Sequence, residues 1–122
     1  MDRRDGSTET VGSDAHSRAA AAFVDRLDSG MLDEIEDVIL FGSTARGDAA
    51  DLSSDVDFLL VVSDSSDKRT IEGEARSIAY DVMLEYGPVV EVHVVTRSHF
   101  EKQRNNRHPF FDTVLREGRS YA

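Results

Sequence analysis

Residues 55–62 read Asp-Val-Asp-Phe-Leu-Leu-Val-Val. After its first three positions the run is apolar throughout, so a strand made from it buries both faces and lies inside its sheet. Such a strand needs cover above and below, which points to a small α/β (α+β) layer fold, a mixed sheet packed by helices. Asp55 and Asp57, at the mouth of the run, stand two positions apart and therefore share one face of the strand. Side by side they repel unless a divalent cation lies between them. A hard cation such as Mg²⁺ takes a few carboxylates, keeps some waters and completes its shell with phosphate oxygens.

The rest of the chain supplies the layers. Apolar Ala20, Phe23, Val24 and Leu27 recur at helical spacing within residues 15–28, and Gly30 suits the end of that helix. Asp37–Phe41 reads as a buried strand ending at Gly42-Ser43, with a short helix from Thr44 to about Gly47 and a polar loop over Asp48–Ser54. Ser63–Asp67 is a turn and cap cluster before the longest helix, Arg69–Tyr86. Its buried stripe is Ile71, Ala75, Ile78, Val82 and Tyr86, and Gly87-Pro88 ends it. Val89–Val95 is a third strand, with Glu91 and His93 on one face and Val90, Val92 and Val94 on the other. Ser98 with Glu101 has the capping-box spacing for a further helix. Pro109 opens a last helix that Gly118 follows, docked by the pairs Phe110/Val114 and Phe111/Leu115. The expected order is α-β-α-β-α-β-α-α, a single domain over residues 15–122 behind a disordered tail at 1–14.

The 122 residues carry 24 acidic and 14 basic side chains, a formal net charge of −10. That balance disfavours direct binding to a nucleic-acid backbone. It is compatible with a small phosphorylated ligand, because a bound cation reverses the local sign. The chain contains no Cys, which excludes disulfides and thiolate metal sites. No apolar run approaches a membrane span and no secretory signal is visible, so a cytoplasmic location is expected.

Gly42-Ser43 lies between a strand and a helix start. Glycine permits close backbone approach to a ligand. Free N–H groups there, with the Ser43 hydroxyl, suit phosphate oxygens. Arg46, about one turn on, is a candidate charge clamp for the same group. Glu91, on a neighbouring strand, is placed to complete a carboxylate set with Asp55 and Asp57, by holding a second metal or by taking a proton from an incoming hydroxyl. The order is informative where each part alone is weak: strand, Gly-Ser turn, Arg-Gly, polar loop, then Asp-x-Asp opening an apolar strand.

The stretches Gly42-Ser43-Thr44-Ala45-Arg46-Gly47 and Ser54-Asp55-Val56-Asp57-Phe58-Leu59-Leu60-Val61 resemble the DNA-polymerase-β-like nucleotidyltransferase superfamily. Within it the chain is similar to the minimal nucleotidyltransferases (MNT), over roughly Phe23 to Ser120 and including the ending Pro109-Phe110-Phe111 to Leu115-Arg116-Glu117-Gly118. The resemblance implies that Gly42 and Ser43 bind a nucleoside triphosphate, ATP as substrate. It implies that Asp55, Asp57 and a third acidic residue, here Glu91, hold one or two Mg²⁺ ions. Members transfer a nucleoside monophosphate to a hydroxyl and release pyrophosphate. Minimal members are commonly paired, as antitoxins, with a small helical HEPN protein, in some cases adding AMP to its tyrosine. Two departures stand out: eleven residues separate Ser43 from Asp55, one more than is usual, and Glu91 occupies a position typically held by Asp.

Other readings of the same residues are structural. The Arg97, Arg104 and Arg107 group reads as a solvated helix face, His93 as a structural or rim residue, and Phe110/Phe111 as core. A calcium loop over Asp51, Ser53 and Asp55 fails, because Val56 and Val62 occupy the positions that need Gly and Glu. The leading expectation is AMP transfer to a protein hydroxyl, since a protein acceptor brings its own walls. Two alternatives stay open: a binding module that neutralises its partner by occlusion, and a small-molecule transferase completed by homo-oligomerisation. Abundant Asp with only two Lys, Lys68 and Lys102, suggests a salt-rich cytosol in which screening relieves self-repulsion. Thermal stability is therefore expected to rise from low to multimolar KCl; a melting temperature independent of salt would refute the halophile reading.

Overall fold

The two most apolar segments become the inner strands. The computed structural model describes residues 11–28, 32–46 and 55–121. Strand β1 (Ile35–Phe41) and strand β2 (Val56–Val62) are antiparallel. Strand β3 (Val90–Thr96) adds to β2 in parallel, and the two-residue β4 (Arg119–Ser120) adds to β1 antiparallel. The order β3-β2-β1-β4 makes a mixed four-stranded sheet. Strand β1 starts two residues before the expected Asp37, after a 3₁₀ turn at Leu32–Glu34. Strand β4 was not foreseen: its register is held by Tyr121 N–H donating to the Val38 carbonyl at 2.8 Å and by the Ser120 hydroxyl donating to Asp37 at 2.5 Å.

Each sheet face has its own core, as the double-sided apolar run requires. On one face Val38, Leu40, Phe58, Leu60, Val90, Val92 and Val94 pack under two long helices. These are α1 (Val11–Asp28), contributing Ala19, Ala20, Phe23 and Leu27, and α3 (Lys68–Tyr86), contributing Ile71, Ala75, Ala79 and Val82. The Phe23 and Phe58 rings lie 4.7 Å apart and pin α1 to β2. On the opposite face Ile39, Phe41, Leu59 and Val61 meet Phe100 of α4 (Arg97–Asn105) and Phe111 and Val114 of α5 (Pro109–Glu117). The short helix α2 (Ser43–Arg46) follows β1 directly.

Several local expectations need correction. Helix α1 begins at Val11, so residues 11–14 of the expected tail are helical; residues 1–10, Gly30 and the Asp48–Ser54 loop lie outside the described residues. In α3, Ala79 joins the buried stripe, while Ile78 and Tyr86 are half-buried. Helix α4 does not use the Ser98/Glu101 capping box. Its N-cap is Thr96, whose hydroxyl accepts from His99 N–H at 3.3 Å. Ser98 N–H instead donates to Asp64, and Glu101 pairs with Arg97 and Arg104. Leu115 is 42% exposed and does not dock α5; Phe111 and Val114 do, with Phe110 half-buried beside them. The Asp67 cap of α3 is as read, its carboxylate accepting from Thr70 N–H at 3.2 Å, and Gly87 (φ 110°) ends that helix.

Gly118 serves more than helix termination. Its backbone is extended, but a Cβ there would fall 2.5 Å from Ile39 Cγ2 and against the Val114 carbonyl. The absent side chain lets the chain turn from α5 into β4 flush against β1. Gly118→Ala is expected to cost roughly 1–3 kcal/mol through overpacking, measured by urea denaturation; an unchanged midpoint would show that the turn yields.

Candidate active site

Strand polarity brings the candidate residues together. Strand β1 runs antiparallel to β2, so its last residue, Phe41, pairs with Asp57 near the start of β2. Strand β3 runs parallel to β2, so Asp57 also pairs with Glu91. The Gly42 turn, Asp57 and Glu91 thus stand side by side across three strands, and Asp55 shares the face of Asp57 by alternation. One carboxylate oxygen from each of Asp55, Asp57 and Glu91 lies within 4.8 Å of the others. The same sheet face is covered farther along by α4 and α5, so the carboxylates sit on its open end. Phe41, His93 and Phe110 form the floor between the two regions, with ring separations of 5.5–6.0 Å.

Gly42 is constrained twice. Its φ of 80° is left-handed, and a Cβ there would fall 2.6 Å from Asp57 Oδ2. Any other residue would strain the turn and push against the carboxylate that the turn abuts. Ser43 and Arg46 are the first and last residues of α2; their side chains lie outside the described residues. Thr44, overlooked in the sequence, is buried, and its hydroxyl donates to the Asp55 carbonyl at 3.4 Å. It ties the turn to the start of β2. A polar residue directly after Gly-Ser was the available signal, but its partner lies across the sheet.

The electrostatics are those of crowded like charges. Asp57 is pushed from its ordinary 3.8 up to about 6, first by burial and then by the neighbouring Asp55 and Glu91 charges, with His93 partly opposing. His93 Nε2 lies 3.9 Å from Glu91 Oε1. Three carboxylates in one cluster, the half-buried Asp57 ionising reluctantly between the other two, fit a divalent cation, which would relieve the repulsion.

A profile of the nucleotidyltransferase domain family matches residues 20–116. A protein of Methanocaldococcus jannaschii, named provisionally as a protein adenylyltransferase, is 35% identical over 102 residues, 84% of this chain and 93% of that one. A crystal structure of a provisionally assigned nucleotidyltransferase from Sulfolobus solfataricus shares 25% identity, with coverage of 75% of this chain and 77% of the other and a TM-score of 0.45. The chain belongs to the nucleotidyltransferase domain family, as the Gly-Ser and Asp-x-Asp stretches led us to expect, and is a nucleotidyltransferase enzyme. None of the described helices is long and apolar enough to cross a membrane.

The raised Asp57 value has a stability consequence of definite sign. A proton binds the folded state more tightly than the unfolded one, so the ionised carboxylate costs stability as pH rises from about 4 to about 6, and the cost stays in full above that. In EDTA, Asp57→Asn is expected to raise stability at pH 7.5 by roughly 1–3 kcal/mol, and by nothing below about pH 4. Denaturant titrations at both pH values check this; equal midpoints at pH 7.5 would mean the charge is solvated.

Proposed function

We propose that the chain transfers AMP from ATP to a hydroxyl of a protein partner, with Asp55, Asp57 and Glu91 holding Mg²⁺ beside the Gly42 turn. The observation that carries the reading is the convergence of those carboxylates beside Gly42, where a side chain would strike Asp57. The provisional name of the M. jannaschii relative, of which the chain covers 93%, supports adenylyl transfer and a protein acceptor.

In this reading Gly42 and Ser43 cradle the triphosphate and Arg46 clamps it. The acceptor oxygen bonds to the α-phosphorus while the bond between that phosphorus and the departing pyrophosphate breaks. The hydroxyl proton passes to a carboxylate, for which Glu91 is the candidate. Bound Mg²⁺ supplies charge neutralisation along the polyphosphate. The protein contributes positioning: Thr44 and Gly42 fix the turn against Asp57, and strand pairing fixes Glu91. A helical HEPN-type partner and an antitoxin role are the setting that the family resemblance favours.

ATP labelled at the α-phosphate, supplied with Mg²⁺ and the folded partner, is expected to label the partner, whereas γ-labelled ATP is not. Asp55→Asn and Asp57→Asn should each lower transfer by roughly 10²–10³-fold or more. If the double variant still neutralises the partner, occlusion rather than chemistry is the function.

A further inference from the structure

Strand β3 is the outer strand of the sheet, and no described residue pairs with its second edge. Val89 turns its carbonyl toward β2, where it accepts from Val56 N–H at 2.8 Å. By two-residue alternation Glu91, His93 and Val95 do likewise, and Val90, Val92 and Val94 turn their N–H and C=O groups outward. The strand is regular from Val90 to Thr96, without bulge, Lys or Pro, the usual devices that blunt an edge. A groove of about 350 Å³ follows this edge between β3 and α3, lined by Arg76, Tyr80, Met83, Val89 and Glu91 among others. A second, of about 360 Å³, continues it past Val94 to Thr96 and His99. Tyr80 and Val89 are exposed large apolar residues there, at 58% and 42%.

Glu91 lines both this groove and the carboxylate cluster, so the edge opens directly into the site. The other outer strand, beyond β1, is the two-residue β4. We propose that an extended, hydroxyl-bearing segment of the protein acceptor pairs backbone to backbone with Val90–Val94, and that the hydroxyl residue opposite Glu91 is the one modified. A cross-strand neighbour of Glu91 projects on the same face, with Cβ atoms about 5 Å apart. Its own neighbours project the other way, onto Tyr80 and Met83 of α3. One hydroxyl is thereby delivered to the carboxylates; its oxygen bonds to the α-phosphorus, its proton goes to Glu91 and pyrophosphate departs. A second copy of this chain is disfavoured as the occupant by a net charge of −10 on each. The inference rests on the protein-acceptor reading above.

The test uses a ten-residue peptide of alternating Val and Lys with a central Ser, added without nucleotide to the wild type and to the Asp55→Asn/Asp57→Asn double variant. Amide exchange is followed by NMR. Val90, Val92 and Val94 are expected to slow by about tenfold or more in both proteins, with Glu91 and His93 unchanged. N-methylation of alternate peptide residues should abolish the effect in one phase and spare it in the other. Tyr80→Lys, at an exposed position, should weaken peptide binding roughly tenfold. Protection that is absent, that falls on β4, or that grows with protein concentration without peptide overturns the proposal, the last by identifying a second copy as the occupant. Failure of the wild type to transfer AMP falls on the activity reading alone, since protection is read without nucleotide.

Discussion

The contact between the Asp57 carboxylate and the bare backbone of Gly42 is the constraint on which the site depends. It exists because β1 ends at Phe41 opposite Asp57, and because the chain then turns through a left-handed residue rather than continuing the strand. The same register sets Glu91 on the other side of Asp57. Shifting either pairing by one residue would invert every side chain on the shifted strand. The carboxylates would then enter the core under α1 and α3, and Val56 and Val90 would face water. Burial of the two apolar faces therefore fixes the position of the acidic groups, with no direct attraction among them.

Covering of the sheet is uneven, and the unevenness makes the site. Helices α1 and α3 pack on one face, over Val38, Leu40, Phe58, Leu60, Val90, Val92 and Val94. Helices α4 and α5 cover only the far part of the other, around Leu59, Val61 and Ile39. Phe41, His93 and Phe110 mark the boundary between packed and open regions. The open region is where like charges gather, and Asp57 bears the cost as a displaced ionisation. The candidate site lies where packing stops, at the local expense of stability.

Much of this was legible from pattern alone. The run at 55–62 announced an inner strand, and the alternation of Val90, Val92 and Val94 with Glu91 and His93 announced a strand with one face at the site. What escaped reading has a common cause in long-range partners. Thr96 outcompetes Ser98 as a cap because Asp64, 34 residues back, takes the Ser98 N–H. Leu115 has the spacing of a docking residue, but the orientation of α5 on β1 favours Phe111 and Val114. Strand β4 is only two residues long and has no periodicity to detect; it forms because Val38 and Asp37 offer partners. Thr44 acquires its role only once β2 lies beside the turn.

The half-buried position of Asp57 between two other acids carries one more implication. Near pH 6 that carboxyl is partly protonated, so a cation entering the cluster would have to displace hydrogen ion to the medium. Occupancy by a cation would then be a competition set by acidity as well as by metal concentration.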